Sequence, residues 1–196
     1  MADSGKFNPY LRAGTNILQR IAETVQDVPA DISAYIAGGL AISYWLEGRR
    51  ISLDLDVLFS HRIVLEQGLS ARVESAEPVF AERVDFDYNF SDAFSLLQAD
   101  YPDRAHFLVK YGSLQVYVLA PVDLVLMKVS RFSGRDREDI KALMNENLVD
   151  QQELHRLAED AIKDYIGNTA IIKTSLDIVD SWFYSLENNN SCCPHL

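Results

Sequence analysis

Residues 35–59, YIAGGLAISYWLEGRRISLDLDVLF, carry the pattern that decides the fold. This stretch predicts a short strand, a glycine pair at Gly38 and Gly39, a helix, and a second strand that contains Asp54 and Asp56. Glycine has no Cβ, so a phosphate could approach the backbone N–H groups at the turn and the positive end of the helix that follows. The stretch therefore predicts a phosphate-binding turn next to a pair of acidic residues.

The two aspartates of the second strand predict a metal site. Alternation puts the side chains of Asp54 and Asp56 on one face, while Leu53, Leu55 and Val57 point the other way into apolar packing. Neighbouring carboxylates repel each other and need a compensating cation. Hard divalent ions such as Mg²⁺ take oxygen ligands from one or two carboxylates and from substrate phosphates.

These residues together resemble a known motif. A strand ending in Gly-Gly, a helix, and Asp-x-Asp on the next strand are similar to the core of the polymerase-beta-like nucleotidyltransferase superfamily. The string RRISLDLDV, residues 49–57, looks most similar to AbiEii-type toxin nucleotidyltransferases and their uncharacterised bacterial relatives. Leu40 follows Gly39 where many members have serine. The resemblance implies Mg²⁺ or Mn²⁺ as the cofactor, Asp54 and Asp56 as catalytic metal ligands, and four nucleotide-binding residues: Gly38, Gly39, Arg50 and Ser52.

A third carboxylate is expected from a later strand. Residues 82–90, ERVDFDYNF, alternate apolar and polar side chains and predict a strand with Asp85 and Asp87 on its polar face. The resemblance implies that one of these two, with Asp87 preferred, is a catalytic metal ligand. A half-exposed strand without any metal role would show the same alternation, so that alternative stays open.

A second block of residues supports the resemblance. In residues 120–144, Pro121 is expected to open a helix that Gly134 ends, and a second helix is expected from residue 135 to about 145. The order of lysine, arginine and aspartate here is similar to the second conserved block of AbiEii-like proteins. The resemblance implies that Lys128 is catalytic and contacts nucleotide phosphates, and that Arg131 and Asp136 help to bind the nucleotide. A lysine on a helix is otherwise usually solvated.

The remaining chain predicts an α/β (α+β) fold with a small mixed sheet, flanking helices and a helical C-terminal part, and the resemblance implies that the sheet is of nucleotidyltransferase type. We expect helices at residues 9–28, 61–73 and 91–99, strands at 33–37, 107–111 and 114–119, and two C-terminal helices separated near Gly167. The predicted domains are a nucleotidyltransferase-like domain at 1–146, a helical extension at 147–187 and a flexible tail at 188–196.

Composition and missing motifs restrict the function. The net charge of −11 disfavours a large RNA substrate unless basic residues cluster locally. Cys192 and Cys193 are the only cysteines, which excludes a disulfide framework, and a metal site formed by them with His195 lacks a fourth ligand. The four histidines do not have the spacing of a zinc hydrolase, and no serine-hydrolase elbow, P-loop or dinucleotide-binding motif occurs. The N-terminus has no signal-peptide pattern, so we expect a cytoplasmic protein.

The resemblance therefore implies a metal-dependent nucleotidyltransferase that uses a nucleoside triphosphate and an acceptor that is RNA, protein or a small molecule. The resemblance to AbiEii-type proteins implies a role as the toxin of a toxin–antitoxin or phage-defence system, with an antitoxin as partner. We also expect no membrane contact and a homodimer through the C-terminal helices. The alternative is a non-catalytic nucleotidyltransferase-like module that binds or regulates.

Overall fold

The computed structural model describes residues 7–25, 31–74, 82–91 and 95–190, with side chains up to residue 186. The helices are α1 (Pro9–Thr24), α2 (Gly38–Trp45), α3 (Tyr101–Arg104), α4 (Pro121–Arg131), α5 (Gly134–Asn145), α6 (Gln151–Asp164) and α7 (Thr169–Asn190). The strands are β1 (Ile32–Ile36), β2 (Asp54–Leu55), β3 (Val57–Phe59), β4 (Ser70–Arg72), β5 (Arg83–Phe86), β6 (His106–Tyr111) and β7 (Leu114–Val118). The chain divides into two compact units.

The first unit, Met1–Ser91 and Asp100–Ala120, contains two small mixed sheets. The larger has the strand order β3-β1-β7-β6, in which β1 runs antiparallel to β3 and parallel to β7. The smaller has the order β2-β5-β4, in which β2 and β5 are parallel. The predicted mixed sheet is confirmed, but the strands form two sheets instead of one. Strands β2 and β3 are neighbours in sequence, yet β2 pairs in the smaller sheet and β3 pairs in the larger sheet.

Helix α1 covers part of this unit. The Asn8 side chain accepts hydrogen bonds from the backbone N–H groups of Tyr10 and Leu11, and Pro9 occupies the first turn, where its missing N–H costs nothing. The apolar face of α1 packs against α2, β4 and β5. Leu40 and Leu55, two apolar residues of the predicted motif, are fully buried in the core, each with 0 % exposure.

The second unit, Asp92–Ala99 and Pro121–Leu196, consists mainly of helices α4 to α7. Helix α4 packs against α5, α6 and α7. Trp182 of α7 stacks on Phe132 with ring centroids 5.9 Å apart, and the Lys141 ammonium lies 4.5 Å from the Trp182 ring centroid. The boundary between the two units falls after Ala120, and the predicted domain division at residue 146 stays a prediction.

Several predicted elements are confirmed. The strand–Gly-Gly–helix order holds, the hairpin of β6 and β7 turns at Gly112 with a φ of 57°, and α6 and α7 are separated at residues 165–168. Among the described residues, no helix is long and apolar enough to cross a membrane.

Other predicted elements are wrong. Residues 61–73 form a loop and β4 instead of a helix, because Gly68 adopts a φ of 74° and β4 pairs with β5. Gly134 begins α5 instead of ending α4, which ends at Arg131 and is followed by Phe132 with a φ of 48°. The strand expected at 82–90 stops at Phe86. Helix α7 continues to Asn190, beyond the predicted start of the tail.

Some predictions fall partly or wholly outside the described residues. Of the helix expected at 91–99, residues 92–94 lie outside them, and residues 95–99 are not helical. The proposed end of α1 near residue 28 and the tail residues Cys192, Cys193 and His195 also lie outside the described part of the chain.

Candidate functional site

The turn between β1 and α2 accepts only glycine at position 38. Gly38 has a φ of 56°, in the left-handed region that L side chains rarely adopt. A Cβ at this position would lie 2.7 Å from Cγ and 3.1 Å from Cβ of Asp56, and closer still to Oδ2. The carboxylate of Asp56 therefore lies against the first turn of α2, whose N-cap residue Ala37 provides no side-chain hydrogen bond.

Gly39 is restricted by the segment that precedes β2. A Cβ at position 39 would lie 2.7 Å from Cβ of Ser52 and 3.6 Å from Nη2 of Arg50. Ser52 is 7 % exposed, whereas the next helix residue, Leu40, is wholly inside the core. The hydroxyl beside Gly39 thus comes from Ser52, in a chain that has no serine directly after the glycine pair.

The two aspartates of the Asp-x-Asp motif flank a short break between strands. Asp54 is exposed at the start of β2, Leu55 is buried, and Asp56 is half-buried just before β3. The Ala37 N–H donates to the backbone carbonyl of Asp56 over 2.9 Å, which fixes this segment to the end of β1. The predicted alternation is confirmed from residue 54 to 57. It fails at Leu53, which is 41 % exposed.

The third-carboxylate candidates lie on the strand that pairs with β2. Asp85 is the register partner of Asp54, and its N–H donates to the Leu53 carbonyl over 2.8 Å. The Asp87 N–H donates to the Leu55 carbonyl over 3.1 Å, and its Oδ1 accepts from the Asn89 N–H over 2.8 Å. Both candidates therefore come from the strand that pairs with β2, and Asp87 also starts a side-chain-stabilised turn.

No cluster of three or more histidine, cysteine, aspartate or glutamate side chains within the described ranges has the geometry to hold a metal ion. The pairing of β2 with β5 nevertheless brings two acidic strand positions, 54 and 85, into register. Register partners in neighbouring parallel strands point to the same face of a sheet. The acidic character of this face is therefore produced by strand pairing as well as by the spacing of the Asp-x-Asp motif.

The second predicted block forms a buried ion network between α4 and α5. The Lys128 ammonium, 7 % exposed, donates to Oδ1 of Asp136 over 3.1 Å and to Oδ2 of Asp139 over 2.8 Å. Arg131 donates to both oxygens of Asp136, through Nε over 2.8 Å and Nη2 over 2.7 Å. Two positive and two negative groups thus balance each other inside this unit.

Asp136 is the centre of that network. Burial alone would raise its pKa, but hydrogen bonds from Arg131 and Ser133, together with the charge of Lys128, hold the pKa of this carboxyl well below its usual range. The Ser133 N–H donates to Oδ2 of Asp136 over 3.0 Å, and the Asp136 N–H donates to the Ser133 hydroxyl over 3.3 Å. These two bonds form a capping box at the start of α5.

Sequence reasoning missed Ser133 and the shared role of Asp136 and Asp139 as partners of Lys128. The signal for Ser133 was present, since a serine three residues before an aspartate is the pattern of a capping box. The contacts of Lys128 had no comparable signal, because the spacing of 8 and 11 residues to its two partners crosses a helix break.

Comparison with known families gives one result for this chain. A family model described as "Nucleotidyltransferase of unknown function (DUF6036)" matches residues 15–184, which include residues of both units. A search among curated proteins found no match.

Proposed function

Because the chain belongs to the DUF6036 family, described as nucleotidyltransferases of unknown function, we propose that it transfers a nucleotide from a nucleoside triphosphate to an acceptor in a divalent-metal-dependent reaction. The observation that carries the proposal is the packing of the Asp56 carboxylate against Gly38 at the start of α2. This packing puts an acidic oxygen beside a helix N-terminus, where a phosphate and its metal ion could bind together.

The donor set of the first unit suits Mg²⁺ or Mn²⁺. Carboxylate oxygens are hard ligands, and Mg²⁺ commonly takes only one or two from protein and the rest from phosphates and water. In the proposal Asp54 and Asp56 hold the ion together with substrate phosphates, because no three carboxylates of the described residues are grouped for a metal. Asp87 or Asp85 is the further carboxylate that the resemblance implies. Like charges at the register partners Asp54 and Asp85 repel each other, and a divalent cation would relieve that repulsion.

The reaction joins an acceptor oxygen to the α-phosphorus and breaks the bond from that phosphorus to the bridging oxygen of the β-phosphate. Pyrophosphate leaves, and the acceptor oxygen loses its proton. When bound, the metal ion would neutralise triphosphate charge and that of departing pyrophosphate. We assign the backbone N–H groups at Gly38 and Gly39, the Ser52 hydroxyl and the Arg50 guanidinium to phosphate binding, because all four positions meet at the first turn of α2.

The resemblance also gives the second block a role, with Lys128 contacting phosphates and Arg131 and Asp136 helping to bind the nucleotide. The buried contacts of Lys128 with two carboxylates support a different role, in which the lysine fixes α5 against α4. We therefore propose that Lys128 is a positioning residue. The alternative role for Lys128 is a direct contact with the nucleotide phosphates.

The acceptor is proposed to be RNA, protein or a small molecule. The resemblance to AbiEii-type proteins supports a role as the toxin of a toxin–antitoxin or phage-defence system, with an antitoxin as partner. The class of the acceptor would be identified by whether RNA, protein or small molecules take up label from a labelled nucleoside triphosphate.

The proposal is tested by incubating the full chain with each α-³²P-labelled nucleoside triphosphate, Mg²⁺, total RNA and cell protein. We expect label transfer, and we expect Asp54→Asn and Asp56→Asn each to reduce it by roughly a hundredfold or more, since loss of metal-held charge stabilisation costs several kcal/mol. Asp103→Asn, at an exposed position of α3, is the matched control and should keep wild-type activity.

Thermal stability is measured alongside for all variants, with and without Mg²⁺ and nucleotide. A nucleotide-dependent rise in Tm that the two aspartate variants lose would support the site even before an acceptor is found. Absence of both transfer and any nucleotide-dependent shift would overturn the enzymatic proposal. Transfer that survives in both aspartate variants would remove these residues from the site.

A further inference from the structure

The surface where α5 meets α7 in the second unit carries cations that lie over aromatic rings. The Arg137 guanidinium lies 5.7 Å from the centroid of the Phe132 ring, and Phe132 stacks on Trp182 with an angle of 18° between the ring planes. The Lys141 ammonium lies 4.5 Å from the Trp182 ring centroid. Arg137 and Lys141 are exposed, and both rings are half-buried. These four residues form a continuous series of cation, ring, ring and cation, which we call the cation–aromatic row.

The backbone at Phe132 is in a conformation that favours glycine. Phe132 comes directly after α4 and has a φ of 48°, in the left-handed region where many helices end on a glycine. A bulky residue in this region lowers stability. The contacts of the ring with Trp182 and Arg137 offset part of that loss. An aromatic ring is therefore present at a position where glycine would suit the backbone better, which indicates a use for the ring at this surface.

The buried ion network leaves α5 with a positive surface. Both aspartates of α5 are buried, and the network neutralises them. Arg135, Arg137 and Lys141 are exposed, and none of them makes an ion pair with a residue that the structure describes. Within α5, all of which is described, Glu138 is the one exposed acidic residue. In a chain with a net charge of −11, this is a local basic cluster, and charge complementarity selects an anionic partner for it.

A pocket of about 200 Å³ adjoins the cation–aromatic row. Its lining residues are Lys141, Met144, Asn145, Trp182, Ser185 and Leu186. Trp182 brings a flat aromatic surface, Lys141 brings a positive charge, and the Asn145 amide brings two hydrogen-bond donors and an acceptor. A planar base with a hydrogen-bonding edge and a neighbouring phosphate matches these three kinds of contact.

We propose that the cation–aromatic row and this pocket bind single-stranded nucleic acid. A base enters the pocket beside Trp182, and the neighbouring phosphates contact Lys141, Arg137 and Arg135. A single strand fits because its unpaired bases are free to stack on aromatic rings and guanidinium groups, whereas paired bases in a duplex are covered. An acidic peptide would satisfy the cations but would bring no planar base to the pocket. Binding of this kind needs only residues of the second unit and does not depend on the transfer reaction proposed for the first.

Fluorescence anisotropy on the full chain tests this binding, with a fluorescein-labelled single-stranded RNA of about 12 nucleotides as the probe. Nucleotide and Mg²⁺ are left out, so that the result is separate from that of the transfer reaction. We expect Trp182→Ala to weaken binding by roughly tenfold, because one stacked base is lost, and Trp182→Phe to weaken it less. Arg137→Gln and Lys141→Gln should each weaken binding and each lower the slope of log affinity against log salt concentration by about 0.7.

Lys173→Gln is the matched control, because Lys173 is exposed on α7 outside the cation–aromatic row and loses the same charge. This variant should bind the probe as the wild type does. DNA of the same sequence, the RNA annealed to its complement, and a labelled oligoglutamate peptide are compared, and we expect either single strand to bind more tightly than the duplex and the peptide.

Circular dichroism establishes that each variant is folded. If Trp182→Ala unfolds the chain, Trp182→Phe and the two glutamine variants Arg137→Gln and Lys141→Gln still test the surface. The absence of single-strand binding at low salt would overturn the proposal. So would affinity that neither glutamine variant changes, or binding of the peptide as tightly as the single strands.

Discussion

Position 38 in the β1–α2 turn requires glycine for two separate reasons, and a matched pair of variants separates their effects. Its φ of 56° costs other residues about 1–3 kcal/mol, and an added Cβ would also displace Asp56. Gly112 has a φ of 57°, but a Cβ there meets no heavy atom within 4 Å in the described part of the chain.

We expect Gly38→Ala to lower the free energy of unfolding by more than Gly112→Ala, measured by urea denaturation, because both variants place a side chain at a positive φ but only Gly38→Ala also displaces Asp56. Only Gly38→Ala should also weaken binding of nucleotide with Mg²⁺, by roughly tenfold or more, measured by isothermal titration calorimetry. Equal nucleotide affinity in the two variants would show that the position of the Asp56 carboxylate does not matter for binding.

Single residues of this site differ in how well the sequence predicts them. The glycine pair and Asp54 and Asp56 were predictable, because turn chemistry and strand alternation depend on adjacent residues. The packing of Ser52 on Gly39 was not predictable, because residues 46–51 form an irregular loop and no repeating sequence pattern predicts its conformation. The same holds for Leu53, which is exposed because regular strand pairing begins only at Asp54.

At the scale of elements, the buried network makes Lys128 the link between α4 and α5. Lys128→Met should lower the free energy of unfolding by about 3–5 kcal/mol, because Asp136 and Asp139 would lose a buried cation. The double variant Lys128→Met with Asp139→Asn should recover part of that loss, since one buried negative charge disappears. Urea denaturation measures both.

Arg131→Met is the control for Lys128, because the Arg131 side chain is 72 % exposed and its loss should cost less. Nucleotide affinity is measured for the same variants. Normal stability combined with weakened nucleotide binding in Lys128→Met would contradict the positioning role and favour the phosphate contact.

Element prediction succeeded where a long periodic pattern was present and failed where it was short. Helices α1, α4, α6 and α7 each bury a stripe that the sequence displays over several turns. In residues 61–73, Leu65 and Leu69 have helical spacing, but only Leu69 is buried and the segment instead feeds β4. Short apolar runs fit a helix or a strand equally well, and pairing with a distant strand decides between them.

At the scale of the whole molecule, the division into units could not be predicted from local patterns. The contacts of α4 and α5 place these helices in one unit with α6 and α7, while the domain division predicted at residue 146 stays a prediction. Leu96, 1 % exposed, comes from a short segment between β5 and α3, yet it belongs to the second unit. Such a grouping depends on which apolar faces meet, and an isolated helix pattern does not specify its partner.

Truncation after residue 146 distinguishes the two divisions. Helix α4 packs against both α6 and α7, so removing residues 147–196 exposes part of the buried apolar surface of α4. We expect amide protons of α4 and α5 to lose protection in hydrogen exchange measured by mass spectrometry, while those of β1 and α2 keep theirs. The full-length chain is the reference. If α4 stays protected in the truncated chain, residues 1–146 form a self-sufficient domain. The contacts of α4 with α6 and α7 would then contribute little to its stability.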